Sequence, residues 1–128
     1  MLKLTSDPGN IRKIESLVKK LASKYRISSE LYPNILISLT EAVNNAIVHG
    51  NNKDLNKYVN INVREEHNVL SFRISDEGVG FNYSSLPDPT TPENVKCLGG
   101  RGVFLIRQLS DKVNFYNNGS TVEIQFNL

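Results

Sequence analysis

Apolar positions along this chain change period several times, and each change marks an element. Ile11, Ile14, Leu17, Val18 and Leu21 recur at helical spacing with Arg12, Lys13, Glu15, Lys19 and Lys20 between them, which predicts an amphipathic helix with one wet face. Ahead of it, residues 2–5 suit a short strand, and Asp7-Pro8-Gly9-Asn10 reads as the turn into the helix. A second helix is expected to start at Ser28 or Ser29, either of which can act as N-cap. Pro33 fits there only within the first turn, where its missing N–H costs little. This helix should run to Gly50, which can take the left-handed conformation at a helix end.

From residue 58 the period drops to two. Val59, Ile61 and Val63 alternate with polar residues up to Glu65, and Leu70, Phe72 and Ile74 do so between Val69 and Ser75. His67-Asn68 between these runs suggests a tight hairpin. Residues 82–98 carry Pro87, Pro89 and Pro92 among Ser, Thr, Asp and Asn, which reads as a long loop. A third helix is expected over roughly 102–110, with Val103, Leu105, Ile106 and Leu109 apolar. Two strands close the chain, Val113 to Asn117 and Thr121 to Phe126, joined at Asn118-Gly119. Helices and hairpins are segregated, so the expected class is α+β: a two-layer sandwich of a mixed, mainly antiparallel sheet with helices on one face.

Composition narrows the partners. At 128 residues the chain can fill one core and not two, so residues 1–128 are expected to form a single domain. Hydrophobic residues at 39% and charged residues at 22% are those of an ordinary globule. The net charge of +2 is near balance, and the Lys and Arg residues are scattered, which argues against a nucleic-acid surface. Cys97 is the sole cysteine, excluding an internal disulfide framework and a cysteine-based zinc cluster. With no apolar run of membrane-spanning length and no signal-peptide core in residues 1–10, the expected setting is cytoplasmic, without membrane contact.

Three segments carry chemistry. On the second helix, at about 100° per residue, Ser38, Glu41 and Asn45 fall within about 60° of one another, with His49 one turn beyond. Ile35, Leu36, Leu39, Val43, Ala46 and Ile47 on the other side should face the sheet. Ile37 and Val48 flank Glu41, so the polar stripe is expected to face an enclosed space rather than bulk water. An Asn oxygen is a hard neutral ligand suited to Mg²⁺, and a carboxylate one turn away can orient or deprotonate a hydroxyl that attacks a phosphate. A solvated Glu before a helix-end Asn would give the same spacing. His49 suits capping or packing at the helix end better than metal ligation, since no second ligand stands at metal spacing.

The second segment is Asp76-Glu77-Gly78-Val79-Gly80 at a strand end. An acid placed there can accept a hydrogen bond from an exocyclic amine such as N6 of adenine, while Gly78 and Gly80 let backbone approach a flat ring. A plain turn is the other reading. The third segment, Gly99-Gly100-Arg101-Gly102, precedes a helix N-terminus, where free N–H groups attract anions. Arg101 could add charge at a phosphate or point to solvent, and the glycines could serve as a hinge. Neither G-x-x-x-x-G-K-[ST] nor a G-x-G-x-x-G between a first strand and a helix is present.

Taken together, Glu41-Ala42-Val43-Asn44-Asn45-Ala46, Asp76-Glu77-Gly78-Val79-Gly80 and Gly100-Arg101-Gly102 resemble the GHKL superfamily of ATP-binding domains, shared by gyrase, heat-shock chaperones, sensor histidine kinases and mismatch-repair proteins. Within it the chain looks most like the bacterial anti-sigma-factor serine kinases, a likeness that extends over nearly its whole length and includes the loop Asp88-Pro89-Thr90-Thr91-Pro92-Glu93-Asn94. The resemblance implies a Bergerat-type, histidine-kinase-like ATPase fold with residues 82–98 as the ATP lid. It implies Glu41 as the base that activates the acceptor serine and Asn45 as the Mg²⁺ ligand. Asp76 would receive the adenine amine, Gly78 and Gly80 would shape that pocket, and Gly100 and Gly102 would contact phosphates, with Asn44, His49 and Arg101 as helpers. Gly99 departs from the pattern, standing where such proteins often carry a serine or another polar residue.

The function this implies is a serine protein kinase and switch that binds ATP·Mg²⁺, holds a sigma factor inactive and phosphorylates a STAS-type antagonist. Such proteins commonly form homodimers through the sheet and first-helix region. The alternative is an ATP-gated module that captures a partner without phosphoryl transfer, with which Gly99 is compatible. A detached sensor-kinase catalytic domain fits less well, because the chain shows no upstream helix with a phospho-acceptor His and its lid is short.

Overall fold

Leu70, Phe72 and Ile74 are fully enclosed along one strand while Arg73 between them is exposed, so the sheet has a core face and an open face. A computed structural model describes residues 2–78 and 98–128, with side chains from residue 102 onward in the second stretch. In chain order the elements are β1 (Leu2–Thr5), a 3-10 turn (Pro8–Ile11), α1 (Arg12–Lys24), α2 (Leu31–Asn45), a π turn (Ala46–Gly50), β2 (Tyr58–Glu66) and β3 (Val69–Ser75). After them come α3 (Leu98–Leu109), β4 (Lys112–Tyr116) and β5 (Thr121–Asn127). The five strands run in the order β1-β2-β3-β5-β4. The sheet expected to be mainly antiparallel is antiparallel at all four pairings among the described residues.

Register keeps the two faces distinct. Phe72 lies opposite Val63 and Ile124, Ile74 opposite Ile61 and Val122, and Leu70 opposite Phe126. These residues form a floor on which Ile14 and Val18 of α1, Ile35, Leu39 and Val43 of α2, and Ile106 of α3 are buried. The rings of Phe72 and Phe126 meet edge to face at 6.0 Å. On the open face Arg73 lies opposite Glu123 and pairs with it at 2.8 Å, while its guanidinium covers the Tyr116 ring. A solvated face of this kind is normal for an antiparallel sheet.

The turns follow their residue types. His67 and Asn68 both take positive φ, 54° and 63°, as a two-residue hairpin of the predicted kind requires. The last hairpin turns through Asn117, Asn118 and Gly119, all with positive φ. Helix α2 starts at Leu31, later than expected, with Glu30 rather than Ser28 or Ser29 at the N-cap position; Ser28 Oγ still accepts from the Leu31 N–H at 3.1 Å. Pro33 is the third residue of that helix, inside the first turn as it must be.

Three further expectations change. Helix α2 ends at Asn45 and gives way to a π turn, closed by the Asn51 N–H donating to the Ala46 carbonyl at 2.8 Å. Gly50 is not left-handed; the left-handed residues are Asn52 and Lys53, just beyond it. Helix α3 starts at Leu98, so Gly99, Gly100 and Gly102 lie inside its opening turns rather than ahead of it. Glycine disfavours helix by about 1 kcal/mol per residue, which is why the sequence pattern starts the helix later, but packing of α3 on α2 outweighs that local preference. Gly80, Cys97 and the loop from 82 to 97 lie outside the described residues. No helix among the described residues is long and apolar enough to cross a membrane.

Candidate functional site

A cavity of about 220 Å³ opens between the end of α2, the end of β3, α3 and the last hairpin. Ala42 and Asn45 reach it from α2, Ala46, His49 and Gly50 from the π turn, Ile74 from β3 and Asp76 from just past its end. Val103 and Ile106 of α3 and Phe115, Ser120 and Val122 of the last strands complete its wall. Most of that lining is apolar, with Asp76 as its one carboxylate among the described residues. A slot of this kind suits a flat heteroaromatic ring that carries one amine.

Asp76 is held with little freedom. Its N–H donates to the Ser120 carbonyl at 2.9 Å, the Glu77 N–H to Oδ1 of Asn51 at 2.7 Å, and the Gly78 N–H to Oδ1 of Asp76 itself at 2.8 Å. Three consecutive amides therefore find three different acceptors, which leaves the turn no unpaired donor. Burial pushes the Asp76 carboxyl above the usual aspartate value, against the opposing pull of the Gly78 N–H and the Lys57 charge.

Gly50 and Gly78 are required by close approach. A Cβ on Gly50 would sit 2.3 Å from Oδ2 of Asp76, and one on Gly78 would sit 2.1 Å from the Gly50 carbonyl oxygen. The helix end, the acid and the strand-end turn are thus interlocked. This replaces the left-handed role expected for Gly50.

Glu41 and Asn45 meet at a third glycine, Gly102. A Cβ on Gly102 would lie 2.8 Å from Nδ2 of Asn45, 3.2 Å from its Oδ1 and 3.2 Å from Oε2 of Glu41. The absent side chain thus leaves room for both polar groups beside the opening turns of α3. Among the described residues no group of three or more His, Cys, Asp or Glu could cage a metal. One amide oxygen with a neighbouring carboxylate suits Mg²⁺, which takes few protein ligands and completes its shell with water and phosphate.

The structure therefore brings Glu41, Asn45 and Gly102 together, and Asp76, Gly78 and Gly50 together, with Asn45 and Asp76 both on the cavity. The enclosure expected for the whole polar stripe holds only in part. Asn45 lines the cavity and Ser38 is buried, but Glu41 is half-buried and outside the lining, and its flanking residue Ile37 is 42% exposed. An apolar neighbour on the outer side of a helix was not a sign of enclosure. Gly100 and Arg101 lie in the backbone of the opening turns of α3, and Gly80 lies outside the described residues.

Sequence reasoning missed Asn51, Phe115 and Ser120. Asn51 is fully buried and reaches Ser6, Tyr58 and Glu77, yet in the sequence it is only a polar residue after a helix. Phe115 and Ser120 flank a hairpin turn, and no spacing rule ties them to Asp76.

Residues 4–126 match the family model described as the histidine kinase-like ATPase domain. The chain belongs to that family. Among relatives of this ATPase domain, an anti-sigma F factor of Geobacillus sp. (strain WCH70) is 37% identical over 94 residues, covering 68% of this chain and 63% of that protein. The chain thus spans less than two thirds of that relative's length. A serine-protein kinase RsbW of Oceanobacillus iheyensis is 27% identical over 124 residues, covering 91% of this chain and 77% of that protein. The RsbW of Listeria innocua serovar 6a is 25% identical over 128 residues, covering 94% and 82%. A histidine kinase domain from the Erythrobacter litoralis EL346 blue-light activated histidine kinase superposes with a TM-score of 0.56 at 18% identity, covering 92% of this chain and 60% of that one. That likeness shows the shared fold.

Proposed function

We propose that this ATPase domain binds ATP with Mg²⁺, works in the cytoplasm as an anti-sigma serine protein kinase, and phosphorylates a STAS-domain anti-anti-sigma protein. The observation that carries the reading is the placement of Glu41 and Asn45 against Gly102, next to a mostly apolar cavity whose one acid among the described residues is Asp76. Asp76 accepts from the exocyclic amine of adenine, Gly78 lets the backbone approach at that end of the slot, and Gly80 is assigned to the same pocket by the family resemblance. Gly100 and Gly102 present backbone N–H groups of the opening turns of α3 to phosphate oxygens, and Arg101 adds positive charge there. Asn45 contributes its amide oxygen to Mg²⁺, and bound ATP·Mg²⁺ supplies the phosphoryl group. Glu41 takes the proton from the acceptor serine hydroxyl. Phosphorylation adds charge and acceptor oxygens to the antagonist at its interface, which prevents rebinding and leaves the sigma factor captured by a homodimer of this chain. Residues 82–98 would close over the nucleotide as a lid.

The test is Glu41→Gln, given ATP and the candidate antagonist. Nucleotide binding should persist while phosphorylation falls by about 10²- to 10⁴-fold, the usual contribution of a positioned base. Unchanged phosphorylation would remove Glu41 from that role. The second reading, capture of a partner without transfer, is compatible with Gly99, and it predicts ATP-dependent capture by the unaltered chain with no phosphoserine on the partner.

A further inference from the structure

Asn51 follows the π turn directly and is fully buried. Its side chain spends every hydrogen-bonding group on a different part of the fold. Nδ2 donates to Oγ of Ser6 at 2.9 Å, after β1, and to the carbonyl of Tyr58 at 3.0 Å, at the start of β2. Oδ1 accepts from the Glu77 N–H at 2.7 Å, one residue past Asp76. Ser6, also fully buried, passes the chain of bonds on to the Lys57 carbonyl at 2.8 Å. A buried amide satisfied by three partners could be a purely structural staple.

Its position says more. Of the three consecutive amides in the Asp76 turn, the middle one is held by a side chain from outside the turn, whereas the first meets a backbone carbonyl and the third meets Asp76 within the turn. The residue before Asn51 is Gly50, which packs against the Asp76 carboxylate. Asn51 thus fixes the wall behind the acid through its backbone and the peptide in front of it through its side chain. Without Oδ1 the Asp76–Glu77 peptide loses the hydrogen bond that fixes its own N–H, and the carboxylate, tethered to the next amide at Gly78, follows any turn of that peptide.

Resting on the ATP reading above, we propose that Asn51 is a positioning residue for nucleotide recognition: it aims Asp76 at the adenine amine and so sets the preference for adenine over guanine. GTP presents an oxygen where ATP presents that amine, so the ratio of their affinities reads the aim of Asp76.

The experiment measures ATP and GTP binding by calorimetric titration with Mg²⁺, at a temperature where circular dichroism shows each variant folded. Asn51→Ala should lower the ATP-over-GTP preference at least about tenfold, the effect of losing one hydrogen bond to a charged group. Ser6→Ala leaves the Glu77 bond intact and should keep the preference within about twofold of the unaltered chain, whatever it does to the melting temperature. Asp76→Asn separates the two levels. If it abolishes the preference and Asn51→Ala does not, the positioning role is overturned; if it leaves the preference intact, the adenine reading of Asp76 falls first. Amide hydrogen exchange on the unaltered chain covers the case in which Asn51→Ala fails to fold. The Glu77 amide should exchange as slowly as the amides of β3, and exchange at the rate of an open loop overturns the proposal.

Discussion

Gly50→Ala adds a single methyl group at the most constrained point of the site. The new carbon would stand 2.3 Å from Oδ2, 2.4 Å from Cγ and 2.7 Å from Oδ1 of Asp76, where ordinary contact begins at 3.4 Å. About 1 Å must therefore open, and neither side yields easily. The carboxylate cannot swing without losing the Gly78 N–H at 2.8 Å, and the Gly50 backbone is hemmed in by Gly78 and by the anchored Asn51. Losing a hydrogen bond to a charged acceptor costs about 1.5–3 kcal/mol, and overpacking without that loss costs about 1–3 kcal/mol. Replacing a helical glycine returns about 1 kcal/mol through the unfolded chain. With the hydrogen bond lost, the expected net loss of stability is about 0.5–2 kcal/mol, measured by urea unfolding. Displacing Asp76 should also weaken ATP about 10- to 100-fold in titrations of the folded variant. Gly9→Ala is the control, since its Cβ would meet its nearest neighbour, Oδ1 of Asp7, at an ordinary 3.4 Å. A Gly50→Ala protein as stable as its parent, with ATP affinity within about twofold, would refute the interlock.

Acidity should act on stability and binding in opposite directions. Because burial raises the Asp76 pKa, the folded state holds that proton more tightly than the unfolded chain. Between the ordinary aspartate value and the raised one, this group's contribution to stability therefore grows as pH falls, and above the raised value its penalty is constant. ATP binding should weaken over the same fall in pH, since the ionised carboxylate is the stronger acceptor; Asp76→Asn should flatten both slopes, and an unchanged slope in the variant assigns the titration to another group. Ser38→Ala should raise stability by about 1 kcal/mol, or a few degrees in Tm, because the buried Ser38 Oγ has no hydrogen-bond partner among the described residues. A lower melting temperature in scanning calorimetry would refute that account.

The elements were legible where side-chain period and burial coincide. Leu70, Phe72 and Ile74 alternate in the sequence and are buried in the fold, and His67-Asn68 took the left-handed conformations a two-residue hairpin needs. The π turn was not legible, because Ala46 to Gly50 continues the apolar spacing of α2 and the added residue per turn shows only in the Asn51 to Ala46 bond. Gly50 was assigned the wrong necessity for a similar reason. A glycine at a helix end serves either positive φ or close approach, and the second depends on Asp76, which no local window contains. The start of α3 was placed late because glycine propensity is local, whereas the contacts of Gly102 with Asn45 and Glu41 are tertiary. Glu41, Asn45 and Asp76 were legible one by one from residue type and element, and their mutual placement was not.

That placement rests on the π turn. Such turns are rare and often stand at functional sites, since they move the following residues off the path an α-helix would take. Here the turn carries Gly50 against Asp76 and delivers Asn51 to the Glu77 amide, so the end of α2 is joined twice to the turn after β3. Glu41 and Asn45 belong to the helix that runs into this junction. The backbone that carries Glu41 and the backbone that carries Asp76 are therefore joined at this junction. Positioning of that kind matters for phosphoryl transfer, where a displacement of about 1 Å can cost two orders of magnitude in rate. A disturbance at Gly50 or Asn51 should thus reach the transfer step as well as the adenine slot, although neither residue touches Glu41 in any contact of the site.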